Sequence, residues 1–109
     1  MMIPKHTPEL CPAHLSWVRT LPCAVPGCRG ASVAHHVRAG TSGGSAMKPS
    51  DRWAVPLCGP TARWEGHHSE GHRVGWQTFE ARHGVDLRFI ATELAAKSPH
   101  LPRVRLETD

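Results

Sequence analysis

The sequence predicts a single small α+β domain, built from a β-hairpin and several short helices. Its 109 residues are enough for one domain. Only 39% of them are apolar, and ten glycines and ten prolines interrupt the chain, so the domain has difficulty burying enough apolar surface. Small domains commonly compensate with disulfides or a bound metal. Nine histidines and four cysteines, most of them grouped in a few segments, favour metal in this chain.

The charge and the N-terminal residues limit the function classes. The formal net charge of +4 and the pI near 9.2 fit a phosphate-bearing partner, although many solvated surfaces are as basic. No apolar run approaches the roughly 20 residues that span a bilayer. The first ten residues, MMIPKHTPEL, lack the apolar core of a secretory signal. We therefore expect a cytoplasmic protein with no membrane partner, in which cysteines serve as metal ligands before disulfides.

The chain divides into a flexible leader at 1–11, a domain at 12–97 and an extended tail at 98–109. The domain begins with a helix expected over residues 13–21, where apolar residues recur at helical spacing and Pro22 ends the run.

Two short strands follow and form a hairpin with a long connection. The first is expected over 32–37, where small and β-branched residues lead into a histidine pair, and the second over 53–57, ending at Cys58. A Gly/Ser-rich loop at 38–52 joins them. Because Pro56 has no N–H, the second strand should be an edge strand or end there.

Three helices are expected after the hairpin. The first spans 64–74, but Gly66 and Gly71 make it a poor helix by propensity, so metal ligation would have to hold it. The second runs over 76–84. Asp86 caps the third. The apolar residues of this last helix recur at helical spacing: Leu87, Ile90, Ala91 and Leu94.

A sulfur-rich set predicts a structural zinc site. Cys23 and Cys28 bracket a Pro-Gly turn, and Cys58 follows the second strand. With His67 as fourth ligand they give a Cys3His sphere, which is typical of closed tetrahedral zinc sites. Two alternatives remain: the cysteines are buried free thiols, or Cys11, interpreted as a free thiol, replaces His67.

A histidine set predicts a second, open metal site. His68 and His72 are four residues apart, so on a helix their imidazoles share one face. His35 and His36 are adjacent on a strand and point to opposite faces. Imidazoles from His35, His68 and His72 would leave positions on a divalent cation for a phosphate oxygen and a leaving group, with His36 as general base. Alternatively, the whole cluster binds one structural zinc and the remaining histidines are solvated.

The motifs carrying these residues make the pattern recognisable. They are HLSWVR at 14–19, LPC at 21–23, AHHVR at 34–38, KPSDRWAVPLC at 48–58 and HHxxxH at 67–72. Over about residues 12–94 the chain resembles the HNH endonucleases, whose ββα-metal (His-Me finger) fold clasps one divalent cation between a β-hairpin and a helix. The details are most similar to the phage and bacterial group related to the recombination-enhancement nuclease.

The resemblance implies a role for each histidine of these motifs. His35, His68 and His72 would hold the catalytic cation (Mg²⁺, Mn²⁺, Ni²⁺ or Zn²⁺), His36 would be the general base, and His67 would complete the structural zinc site. It also implies DNA as substrate, a recombinase filament as a candidate partner, and a bacterial or phage-infected cell as the location.

The chain departs from the family pattern in two places. It contains no asparagine, the residue that gives HNH its middle letter, and Ser69 stands beside His68 where some members have it. Relatives are expected to have Cys-x2-His-His, whereas Cys58 and His67 are separated by eight residues. The extra segment, 59–66, must loop out before the helix.

The sequence therefore predicts a zinc-stabilised, metal-dependent endonuclease that hydrolyses phosphodiester bonds in DNA. Arg38, Lys48, Arg52 and Arg73 are candidates for phosphate contacts, which position DNA without reading its sequence, or they form a solvated face. The alternative function is a non-catalytic zinc module that binds nucleic acid or a recombination protein. Metal stoichiometry separates the two, since the module would lack an exchangeable second cation.

Overall fold

The computed structural model describes residues 9–38 and 49–101. It confirms the predicted α+β class, with one two-stranded sheet and short helices. The elements run in the order α1 (Pro12–Arg19), β1 (Ser32–His36), a single 3₁₀ turn (Asp51–Trp53), β2 (Ala54–Cys58), α2 (Gly66–Val74), α3 (Trp76–His83) and α4 (Leu87–Lys97). Within the described residues, no helix has the length and hydropathy needed to cross a bilayer. The predicted leader up to residue 8, Lys48 and the predicted tail beyond Leu101 lie outside the described residues.

The two strands form the predicted hairpin as an antiparallel pair. Ser32 lies opposite Cys58 at one end, and His36 lies opposite Ala54 at the other. Pro56 sits in the middle of β2, where its carbonyl accepts a hydrogen bond from the Ala24 N–H at 2.8 Å, on the side away from β1. The N and C=O of one strand residue point to the same side, so the missing N–H costs the hairpin no ladder bond.

The core lies against β2, all of whose residues are buried. Val55 and Leu57 pack with Phe79 from α3 and with Leu87 and Ala91 from α4. Two of the sulfur-rich set, Cys23 and Cys58, belong to the same buried cluster, so the predicted zinc site is continuous with the hydrophobic core.

The helix boundaries follow local chemistry. The Asp86 side chain accepts a hydrogen bond from the Phe89 N–H at 3.0 Å, which confirms the predicted cap of α4. The predicted helix at 64–74 begins two residues later, at Gly66. Thr61 instead closes a turn, with its N–H donating to the Trp64 carbonyl at 2.8 Å.

Close approaches explain both glycines of α2. Gly66 has a φ of +86°, and a Cβ there would lie 2.5 Å from the Gly59 backbone. A Cβ on Gly71 would lie 1.9 Å from Cζ3 of Trp76. The sequence indicated only poor helix propensity at these positions, whereas the structure uses each glycine to bring α2 against a neighbouring segment.

Candidate metal centres

The sulfur-rich set comes together at one end of the hairpin. Cys23, Cys28, Cys58 and His67 each offer a donor atom within 4.8 Å of the others. His67 Nδ1 lies 3.4 Å from Cys23 Sγ and 3.2 Å from Cys58 Sγ. Ligands of a tetrahedral zinc, at about 2.3 Å for sulfur and 2.0–2.1 Å for nitrogen, are themselves about 3.5 Å apart. The four residues therefore could hold a structural metal ion such as zinc.

The loop between β2 and α2 folds back on itself, so His67 lies next to Cys58 despite the eight residues between them. The backbones of Gly59 and Gly66 lie close together, which brings the chain back to the end of β2. There the His67 N–H donates to Cys58 Sγ at 3.1 Å. The extra segment at 59–66 therefore loops out as predicted and leaves the ligand set intact. Trp64, exposed on this loop, contacts the His67 ring edge-on with centroids 4.7 Å apart.

The environment of the cluster is that of a closed site. Burial raises the pKa of Cys58 to about 11 and also raises the pKa of Cys23. Cation binding would therefore displace protons from these thiols. All four cysteines of the described chain are free. Cys11 lies apart, with its Sγ 3.7 Å from the His100 carbonyl, which leaves His67 as the fourth member of the set.

The histidine set comes together between β1 and α2. His68 Nε2 and His72 Nε2 are 3.2 Å apart, and the His35 ring centroid lies 5.2 Å from that of His68 and 5.7 Å from that of His72. Adjacent ligands at about 2.1 Å from a divalent cation are about 3 Å apart, so the spacing of the two helix nitrogens fits one ion. His72 is exposed, so this cluster is open on one side.

The charge state of these rings also suits ligation. Burial, with smaller contributions from His68 and His72, lowers the pKa of His35 to about 3. Burial also lowers the pKa of His68. Both imidazoles are therefore neutral at physiological pH, which is the form that binds metal.

Trp76, at the start of α3, forms the floor of the histidine cluster. Its ring stacks on His35 with centroids 4.1 Å apart and an interplanar angle of 28°. It also contacts His72 edge-on at 5.2 Å and lies 6.3 Å from His68. The ring reaches this position because Gly71 has no Cβ. Sequence reasoning missed this role, since it treated Trp76 only as part of the next helix.

His36 points to the other side of β1 and is paired with Asp51, whose carboxylate was not singled out from the sequence. His36 Nε2 lies 2.8 Å from Asp51 Oδ1. His36 nevertheless shares the wall of a cavity of about 120 Å³ with His35, His72 and Trp76. His36 and two members of the histidine cluster therefore line one cavity.

The four candidate phosphate contacts differ in their surroundings. Arg38 is exposed and lines the same cavity as His36. Arg52 is paired with Glu9 at 2.6 Å, and Arg73 makes a forked contact with Glu65, the shortest at 2.6 Å. Lys48 lies outside the described residues. The phosphate-binding role of all four stays a prediction.

A third group, His67, Glu70 and His83, also has side-chain atoms close enough together to share a metal ion. Glu70 is buried, and its carboxylate already accepts from Arg82 at 2.7 Å and pairs with His83 at 2.9 Å. The guanidinium compensates the buried charge without a metal, so we interpret this group as an ion-pair network joining α2 to α3.

Gly71→Ala should weaken the open site and spare the closed one. The added Cβ drives the Trp76 ring away from its stack on His35, and such overpacking typically costs about 1–3 kcal/mol. We expect a roughly tenfold or greater loss of Mn²⁺ affinity, measured by titration, with zinc content unchanged. Gly59→Ala is the matched control, because a Cβ there meets only Val33 Cγ1 at 3.4 Å. Wild-type Mn²⁺ affinity in Gly71→Ala would contradict this account of the floor.

The fold and the sulfur-rich cluster together define a small α+β protein with a site that could bind zinc. The chain belongs to the DUF968 family of proteins of unknown function, which it matches over residues 1–98. It is 32% identical over 90 residues to the uncharacterized protein YdfU of Escherichia coli (strain K12). The match covers 83% of this chain and 24% of that protein, so the chain spans about a quarter of that relative's length. No solved structure matches the chain.

Proposed function

We propose that this chain is a zinc-stabilised endonuclease of the HNH type that hydrolyses phosphodiester bonds in DNA. The observation that carries the proposal is the open cluster of His35, His68 and His72, with His36 on the wall of the same cavity. A chain that needed metal only for stability would have no use for this second set, which opens to solvent at His72, beside the closed one.

The relation between the two clusters supports the proposal. Adjacent residues of α2 belong to different sets: His67 lies with the cysteines and His68 with the other histidines. A zinc bound at Cys58 and His67 would tie the end of β2 to the start of α2. This tie would fix the face of α2 that carries His68 and His72 against His35 on β1. A hairpin and a helix that held one cation in this way would have the arrangement that defines the ββα-metal fold.

The chemistry follows from the residues present. His35, His68 and His72 would hold a divalent cation, which supplies Lewis-acid stabilisation of the departing 3′ oxygen. His36 accepts a proton from a water aligned with the scissile phosphate. The same cavity wall carries Arg38, whose guanidinium is suited to a phosphate oxygen.

Cleavage of supercoiled plasmid tests the proposal directly. Purified protein with Mg²⁺, Mn²⁺ or Ni²⁺ should nick or linearise the plasmid, and EDTA should stop the reaction. A single-stranded DNA coated with a recombinase, and an RNA of matched length, would test the filament partner and the DNA preference. Absence of metal-dependent cleavage, together with specific nucleic-acid or recombination-protein binding, would favour the non-catalytic zinc module.

His72→Ala should abolish most of this cleavage without unfolding the protein. The residue is exposed and contributes to the open cluster alone, so circular dichroism and zinc content should stay at wild-type values. His100→Ala is the control, since His100 is an exposed histidine that belongs to none of the candidate metal-binding clusters of the described chain. Loss of zinc together with unfolding in His72→Ala would assign this residue to the structural site instead.

A further inference from the structure

Asp51 holds His36 in a defined position at the end of the hairpin. The Asp51 side chain is buried, with 2% of the residue exposed, and its Oδ1 lies 2.8 Å from His36 Nε2. Its Oδ2 accepts the Cys11 N–H at 2.7 Å, and its own N–H donates to the Glu9 carbonyl at 2.8 Å. One carboxylate oxygen and the backbone of Asp51 are therefore held by contacts that do not involve His36, and the second oxygen faces the His36 ring.

The pairing determines the tautomer of the neutral His36 ring. An ionised carboxylate only accepts hydrogen bonds, so the imidazole must carry its proton on Nε2, where the contact is made. Nδ1 is then the nitrogen with a free lone pair. This assignment follows from the hydrogen-bond partners rather than from observed protons.

We propose that Asp51 is a positioning residue that keeps His36 in the Nε2–H tautomer, so that Nδ1 is the nitrogen that accepts the proton of the attacking water. The proposal rests on the nuclease function proposed above. As the water O–H bond breaks, an N–H bond forms at Nδ1 and the oxygen lone pair attacks phosphorus. The P–O bond to the 3′ oxygen then breaks, its electron pair stays on that oxygen, and the oxygen takes a proton from solvent water to become a 3′ hydroxyl. The imidazolium formed on His36 lies against the negative charge of Asp51, which stabilises it.

A purely structural role is the competing explanation. The same carboxylate ties residues 9–11 to the 3₁₀ turn, and Ser50 Oγ contributes a parallel bond by accepting the Glu9 N–H at 2.7 Å. Removing Asp51 altogether would loosen this tie and disturb His36 at once. A test must therefore change the tautomer of His36 while keeping a side chain of the same shape.

Asp51→Asn meets this requirement. With the amide oxygen on the Cys11 N–H, the amide NH2 faces His36 Nε2 and donates to it, which moves the ring proton to Nδ1. We expect wild-type zinc and Mn²⁺ content, and a loss of cleavage of about 10²–10⁴-fold at saturating metal. Reversing the tautomer of a catalytic histidine by the same acid-to-amide change costs about 10⁴-fold in a serine protease. Long-range ¹H–¹⁵N spectra at mildly alkaline pH should report Nε2–H in the wild type and Nδ1–H in the variant.

Ser50→Ala is the matched control, because it weakens the same tie between residues 9–11 and the turn without touching His36. Its cleavage rate and its His36 tautomer should equal those of the wild type. Cleavage by Asp51→Asn at the wild-type rate, or an Nδ1–H ring in the wild type, would overturn the role of Asp51 while leaving the nuclease function standing. Absence of cleavage by the wild type itself would overturn both. The wild-type spectrum decides the tautomer even where the variant fails to fold.

Discussion

Cys58→Ser is expected to yield a chain that neither retains zinc nor folds. Thiolate ligation in small zinc domains contributes about 10 kcal/mol of folding free energy. This is comparable to the whole stability of an ordinary domain, about 5–15 kcal/mol. Cys58 is 1% exposed and belongs to the hydrophobic core, so the loss of the ligand also leaves a hydroxyl among apolar side chains. Zinc content by elemental analysis and thermal unfolding followed by circular dichroism measure the effect.

Cys11→Ser is the matched control for that experiment. Cys11 lies outside the sulfur-rich set, and its Sγ contacts only a backbone carbonyl at 3.7 Å among the hydrogen bonds of the described chain. The control should bind one zinc and melt as the wild type does. Full zinc and an unchanged melting temperature in Cys58→Ser would mean that the Cys3His assignment is wrong. Loss of zinc in Cys11→Ser instead would restore Cys11 as the alternative ligand.

His36→Ala and His35→Ala should both lose cleavage, but for different reasons. As the proposed general base, His36 would contribute to the rate without ligating the cation, so its removal should cost about 10²–10⁴-fold at any metal concentration. In the proposed mechanism His35 is a ligand of the cation, and its ring stacks on Trp76 at 4.1 Å. Its loss should lower the affinity for the cation, and excess metal should partly restore cleavage.

A metal titration of cleavage by both variants beside the wild type separates these roles. Rescue of His36→Ala by added metal, with no rescue of His35→Ala, would mean that the two assignments are exchanged. Wild-type cleavage by both variants would remove the nuclease function altogether and favour the binding module. Zinc content serves as the internal control, since neither residue belongs to the sulfur-rich set.

The sequence predicted most of the fold because local chemistry dictates it. Small and β-branched residues located β1, helical spacing of apolar residues located α1 and α4, and Asp86 marked the start of α4 through its side chain. Such local patterns do not predict the register of the hairpin. The paired histidines on β1 and the helical spacing of His68 and His72 did restrict which face of β1 could lie against which face of α2.

The two clusters of candidate metal ligands were predictable because few residue types bind metal, and the spacing of those residues along the chain carries geometric information. The residues that orient those clusters were not. Asp51 bonds to Cys11 across 40 positions and to His36 across 15, and nothing local to Asp51 marks these contacts. Gly71 and Trp76 are close in sequence, yet only the packed structure gives the reason for the glycine. A low helix propensity can indicate either a weak helix or a close approach.

We propose that this chain carries one closed zinc site and one open cation site, and that the open site supports DNA cleavage. The most direct measurement is a single Mn²⁺ titration of the zinc-loaded protein, in which bound Mn²⁺ and plasmid cleavage are followed on the same samples. We predict one retained zinc per chain, one exchangeable Mn²⁺ per chain, and cleavage that rises in proportion to bound Mn²⁺. One zinc with no second bound ion, or cleavage that does not follow Mn²⁺ occupancy, would contradict the claim.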